Sequence, residues 1–191
     1  MEQRTPSILR QLREQVPLRA LTPAESRQIL ERQATLLLKL AQIPGPAVPV
    51  EQVIGVLPRT EVKRAHGLPT SGRTQWSGSR WVLLVDADEP GVRQRFSLAH
   101  ELAHVIYHPL AADVLPDRRD LLAEVRLERA CEYFAACLLM PRLWMKRAYF
   151  HDGIQDIPSL SRLFGVSWSA LEVRLEQLGF VERPQKIGTA A

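Results

Sequence analysis

Phe96-Ser97-Leu98-Ala99-His100-Glu101-Leu102-Ala103-His104 organises the reading of this chain. Leu98, Ala99, Leu102, Val105 and Ile106 recur at helical spacing and form an apolar stripe. That stripe anchors a helix in a core. His100 and His104 are four residues apart, so they lie one turn apart on a single face. Two imidazoles placed that way grip one metal ion. Glu101 sits beside that face. There it can take a proton from an attacking water and pass it to a leaving amine.

Upstream, residues 59–66 and 72–86 read as strands, most clearly Arg80-Trp81-Val82-Leu83-Leu84-Val85. Ser77-Gly78-Ser79 makes a hairpin turn before it. A short helix is expected over 49–56. Ile43-Pro44-Gly45-Pro46-Ala47-Val48-Pro49 is a stiff linker. Before the linker, Thr22-Pro23-Ala24-Glu25 starts a longer helix. Thr22 caps it, Pro23 takes the first helical position and Glu25 completes a capping box. Residues 1–20 read as a loosely packed leader.

Downstream, helices are expected over roughly 90–107, closed by Pro109, and 120–140, closed by Pro141. A short helix follows over 142–150. After the break at Asp152-Gly153, residues 153–183 form a helix-turn-helix-like unit, with a tail over 184–191. The metal-binding unit then spans 21–152. The fold expected is α+β: a small sheet packed on two site-bearing helices, followed by the helix-turn-helix-like unit.

Bulk properties exclude several classes. The 191 residues are 46% hydrophobic and 24% charged, which fits a globular chain rather than a disordered or fibrous one. No apolar run approaches the about 20 residues of a membrane helix. The start, MEQRTPSILRQLREQ, lacks the apolar centre of a secretory signal, so a cytoplasmic address is expected. Cys131 and Cys137 lie six residues apart on one helix, about 9 Å along its axis and out of disulfide reach. The net charge of +4 permits a nucleic-acid partner without arguing for one.

A catalytic zinc takes three protein ligands and keeps one position open. Residue chemistry leaves the third ligand open among Glu124, Glu128, Glu132, His108 and His151. Tyr107, Tyr133 and His151 are candidate donors to a developing oxyanion. Trp76 and Trp81 are expected to fill the core rather than to align a peptide by strand addition.

RQRFSLAHELAH, followed by Glu128-Arg129-Ala130-Cys131-Glu132-Tyr133-Phe134-Ala135-Ala136 and Leu138-Leu139-Met140-Pro141, resembles the ImmA/IrrE-type zinc metallopeptidases. The resemblance covers roughly residues 20–180. It implies that the glutamate six residues before Phe134, which is Glu128, completes the zinc site with His100 and His104. It implies zinc as cofactor, with manganese as the alternative ion. It also implies an endopeptidase that cleaves a helix-turn-helix repressor to switch on a stress or mobile-element response. The alternatives are a non-enzymatic, metal-stabilised regulator that binds DNA or a partner, and a toxin–antitoxin component. Glu132 departs from the family pattern, which often has Asn there, and adds a carboxylate one turn from Glu128.

Over 157–183 the charges Arg162, Arg174 and Arg183 balance Glu172, Glu176 and Glu182. The second helix would present Trp168, Ser169 and Glu172 to a base pair, a poor set for a major groove. Packing or partner docking is therefore expected of this unit ahead of DNA binding. The more basic stretch is 59–80, where Arg59, Lys63, Arg64, Arg73 and Arg80 face only Glu61.

Overall fold

Thr22 opens the first long helix as its sequence demands. Its hydroxyl accepts from the Glu25 amide and the Glu25 carboxylate accepts from the Thr22 amide, so two otherwise orphaned donors are satisfied. The computed structural model describes residues 7–17, 19, 21–107 and 121–182. Its helices are α1 (Ile8–Arg13), α2 (Pro23–Leu40), α3 (Val50–Gly55), α4 (Gly91–Tyr107), α5 (Leu121–Leu139), α6 (Arg142–Lys146), α7 (Ile157–Phe164) and α8 (Trp168–Leu178). A π-helical turn, Arg147–His151, continues α6. The strands are β1 (Thr60–Ala65), β2 (Gly72–Trp76) and β3 (Trp81–Asp86).

The architecture is α+β. The sheet order is β1-β3-β2, with β1 parallel and β2 antiparallel to β3. The Ser77–Arg80 turn closes the expected hairpin, with Gly78 at φ 89°. Central β3 buries Val82, Leu83 and Val85, and both outer strands carry polar residues towards solvent. Helix α4 lies against the sheet and α5, and its apolar stripe is wholly buried. The paired histidines therefore sit on a helix fixed from several sides.

Residues 8–13 depart from the loosely packed leader that the sequence led us to expect. They form α1, with Leu9 and Leu12 in the core. Arg13 donates to the main-chain oxygens of Val105 (2.8 Å) and Ile106 (3.0 Å), satisfying carbonyls at the C-terminal end of α4. One turn of apolar residues is too short a pattern to announce this. The Pro109 stop and the 184–191 tail lie outside the described residues.

Helices α7 and α8 share the core rather than standing apart from it. Leu160, Phe164, Leu171, Leu175 and Leu178 belong to the same buried cluster as Leu98 and Phe134. Two arginines lock the arrangement. Arg95 on α4 donates to Gly165 O at 2.9 Å and Val48 O at 2.7 Å. Gly165 ends α7 in the left-handed conformation, and a Cβ there would lie 1.9 Å from the Arg95 guanidinium. Arg174 on α8 is fully buried and donates to Met140 O at 3.1 Å.

Candidate metal centre

One turn of α4 and one turn of α5 build the centre. His100 Nε2 and His104 Nε2 stand 3.0 Å apart. Glu128 reaches across from α5, with Oε2 3.2 Å from His100 Nε2 and Oε1 3.3 Å from His104 Nε2. Among the described residues these are the group of His, Cys, Asp and Glu whose donor atoms fall within 4.8 Å of one another. A tetrahedral zinc with bonds near 2.0–2.2 Å separates its ligand atoms by about 3.3 Å, so the donor set and its spacing fit that ion. Glu128 is about half exposed (49%), which leaves the cluster an open side.

The electrostatics favour ligation. Burial, and then the facing His104, push the His100 imidazole below its ordinary value, with Glu128 and Glu132 opposing. A neutral imidazole is the form that binds metal.

Glu101 is buried (7% exposed) directly beside the cluster. Strand β2 holds it. Side chains two apart on a strand share a face, and Gly72 and Thr74 meet Glu101 in that way. Thr74 Oγ1 donates to Glu101 Oε2 at 2.7 Å, with the Glu101 main-chain oxygen at 3.1 Å as a competing acceptor. A Cβ on Gly72 would lie 3.2 Å from Glu101 Cγ and 3.3 Å from Oε1, so the missing side chain makes room for the carboxylate. Burial pushes the Glu101 carboxyl above its ordinary value, and the Thr74 hydrogen bond pulls against that. The arrangement can hold three metal bonds and keep a proton-accepting group next to them.

The structure does not bring the other candidates together. The Tyr107 hydroxyl is buried and donates to Gln33 Oε1 at 2.5 Å, in the core. Tyr133 donates to Glu31 Oε1 at 2.8 Å. Both hydroxyls are therefore engaged by side chains of α2. His151 lies exposed on the π-helical turn, paired with Asp152 at 2.7 Å. Glu132 lies near enough for its charge to act on His100 but outside the donor group, as does Glu124. His108 lies outside the described residues. Trp76 is 46% exposed and packs edge-on against Trp81, so it does not fill the core as expected. Thr74 and Gly72 were not foreseen. They are 27 and 29 residues from Glu101, and no local pattern links them.

A family model described as the IrrE N-terminal-like domain, a peptidase family, matches residues 59–176. The chain belongs to this family. The match takes in β1 to α8, and with them His100, Glu101, His104 and Glu128. The chain is also similar to a solved Mycobacterium tuberculosis transcriptional regulator, with a TM-score of 0.64 and 21% identity. That likeness covers 96% of this chain and 55% of the regulator, so the chain spans about half the regulator's length. At that identity the likeness establishes the shared fold. No curated protein matches the chain in sequence.

Proposed function

We propose that the chain is a zinc-dependent endopeptidase in which His100, His104 and Glu128 hold the ion and Glu101 carries the proton. One observation carries the reading: three metal donors converge within 4.8 Å beside a buried carboxylate that a neighbouring strand holds in place. A structural zinc has four protein ligands. Among the described residues there are three donors with an open side, which favours chemistry over scaffolding.

Bound zinc supplies Lewis-acid chemistry, acidifying water and polarising a peptide carbonyl. The chain's own residues do the rest. Glu101 accepts the proton of the attacking water at a carboxylate oxygen and returns it to the departing amine. Thr74 fixes the rotamer of that carboxylate by donating to Oε2. Its burial keeps the proton transfer away from bulk water.

The substrate we propose is a helix-turn-helix repressor, which is what the resemblance to the ImmA/IrrE-type peptidases implies. The α7–α8 pair serves docking or packing in this reading. Its Arg174 is buried and cannot meet a phosphate, and α8 exposes Trp168 and Val173 instead.

Elemental analysis of the purified protein tests the site. About one zinc per chain is expected in the wild type, with loss in both His104→Ala and Glu128→Ala. Full metal in Glu128→Ala would move the third ligand to Glu132 or Glu124. A wild type that holds no metal after zinc is supplied would overturn the peptidase reading. Glu101→Gln is expected to keep its metal and lose cleavage. If that variant still relieved repression, proteolysis would not be the mechanism.

A further inference from the structure

An open groove of about 1080 Å³ runs between α2, α5, α8 and the first turns of α4. His100, His104 and Glu128 do not line it, but residues one turn from two of them do. Phe96, one turn before His100 on α4, lines it, and so does Glu132, one turn after Glu128 on α5.

The groove is charged at its sides and apolar at its floor. Arg27, Arg93, Arg126 and Arg129 line it, and Glu132 is the one acidic residue that does so among the described residues. Arg93 shares its charge with Glu89 at 3.7 Å. Arg27 and Arg129, both exposed, are the cations its sides offer to a ligand. Arg27 is placed over the Tyr133 ring, 5.9 Å from its centre. Leu30, Leu127 and Phe96 supply apolar surface, and Val173 adds an exposed apolar rim on α8.

Small-molecule pockets span about 300–1,000 Å³ and enclose most of their ligand. This groove is slightly larger than that and about half open to solvent, which suits a chain segment. Apolar floor and cationic sides together select apolar residues interleaved with acidic ones, as when an amphipathic helix enters a groove.

We propose that this groove seats a segment of the protein to be cleaved, with apolar side chains on the floor and carboxylates against Arg27 and Arg129. The proposal rests on the peptidase reading and gives that site its substrate class. Phe96 and Glu132 set such a segment one helical turn from His100 and Glu128.

Binding tests it independently of cleavage. The full chain carrying Glu101→Gln is titrated against fluorescein-labelled 16-residue peptides, read by fluorescence anisotropy. One peptide has Leu or Phe every three to four residues with glutamates between. A second replaces the glutamates with lysines, and a third keeps the glutamates without apolar residues. The first is expected to bind about tenfold tighter than either other. The exposed pair Arg27→Glu and Arg129→Glu, with far-UV circular dichroism unchanged, is expected to lose that preference and favour the lysine peptide. Equal binding of the three peptides, or a preference that survives the reversal, overturns the proposal. So does tighter binding of a 20-base-pair duplex that the same reversal abolishes, since the groove would then serve nucleic acid. Failure here leaves zinc content unmoved, whereas failure of the peptidase reading appears in zinc content and cleavage with peptide binding intact.

Discussion

Replacing Arg174 by methionine tests whether α7 and α8 are part of one core. The side chain is fully buried. Its Nε donates to Met140 O at 3.1 Å and its Nη1 to Gln177 Oε1 at 3.3 Å. Its Nη2 lies 3.7 Å from Glu31 Oε1 without a hydrogen-bond partner, and its Cζ lies 5.5 Å over the Tyr133 ring. Methionine keeps much of the volume and none of the charge. Removing one partner of a buried pair costs about 3–5 kcal/mol when the other is left alone. Here Glu31 keeps Arg142 at 2.9 and 3.0 Å and Tyr133 at 2.8 Å, so that cost is reduced. Met140 O loses its side-chain donor, at about 1 kcal/mol. The expected loss is about 2–3 kcal/mol, a shift of about 1 M in the urea midpoint for a chain of this size. Urea unfolding followed by both circular dichroism and tryptophan fluorescence measures it. A loss below about 0.5 kcal/mol would refute the energetic argument. Two separated transitions, with the C-terminal helices melting first, would refute the single core.

Thr74→Val removes the donor to Glu101 and is expected to slow peptide hydrolysis about 10- to 100-fold with zinc content unchanged, while Thr74→Ser restores the rate. Loss of zinc in Thr74→Val would show that the strand supports the metal and not the base. Burial pushes the Glu31 carboxyl up, but hydrogen bonds from Arg142 and Tyr133 and the charges of Arg174 and Arg142 outweigh it and hold it below its ordinary 4.5. The unfolded chain therefore binds the extra proton first as pH falls. Glu31's contribution is complete above 4.5 and is lost as pH falls through its folded value. Acid titration of stability should fall more steeply below that pH in the wild type than in Glu31→Gln, and parallel curves would sink the idea. Burial pushes the Cys137 thiol to about 11 and the Cys131 thiol well above its ordinary value. Neither thiol should react with Ellman's reagent at pH 8 in the native state, and both should react in guanidinium. Prompt native labelling would contradict their burial.

What was legible in the sequence was local. The Thr22 box, the Ser77–Arg80 turn and the amphipathic α4 are each written within one or two turns of chain. The choice of Glu128 was not. Glu124, Glu128 and Glu132 follow one another at four-residue intervals along one face of α5, so helical geometry ranks them equally. What separates them is where α5 crosses α4, a tertiary fact, and the family resemblance supplied Glu128 in its place. Helix α1 was missed because Leu9 and Leu12 make too short a pattern. The partners of the Tyr107 and Tyr133 hydroxyls, Gln33 and Glu31, were not legible because they lie on α2, 74 and 102 residues away.

The proposed metal donors and the proposed proton carrier are supported by different parts of the fold. His100, His104 and Glu128 stand on α4 and α5, whose apolar faces are locked into one core, with Arg13 and Arg95 tying α4 down at both halves. Glu101 shares α4's backbone, but its carboxylate is placed by Thr74 and the space above Gly72, on a strand at the edge of the sheet. A strand with one paired side is held by half the ladder of a central one. A displacement of β2 would therefore be felt at the Glu101 carboxylate while the three metal donors stayed in place. In the proposed mechanism metal affinity and proton transfer are therefore separable, and the substitutions expected to divide them lie on the sheet edge rather than on the helices that carry the donor cluster.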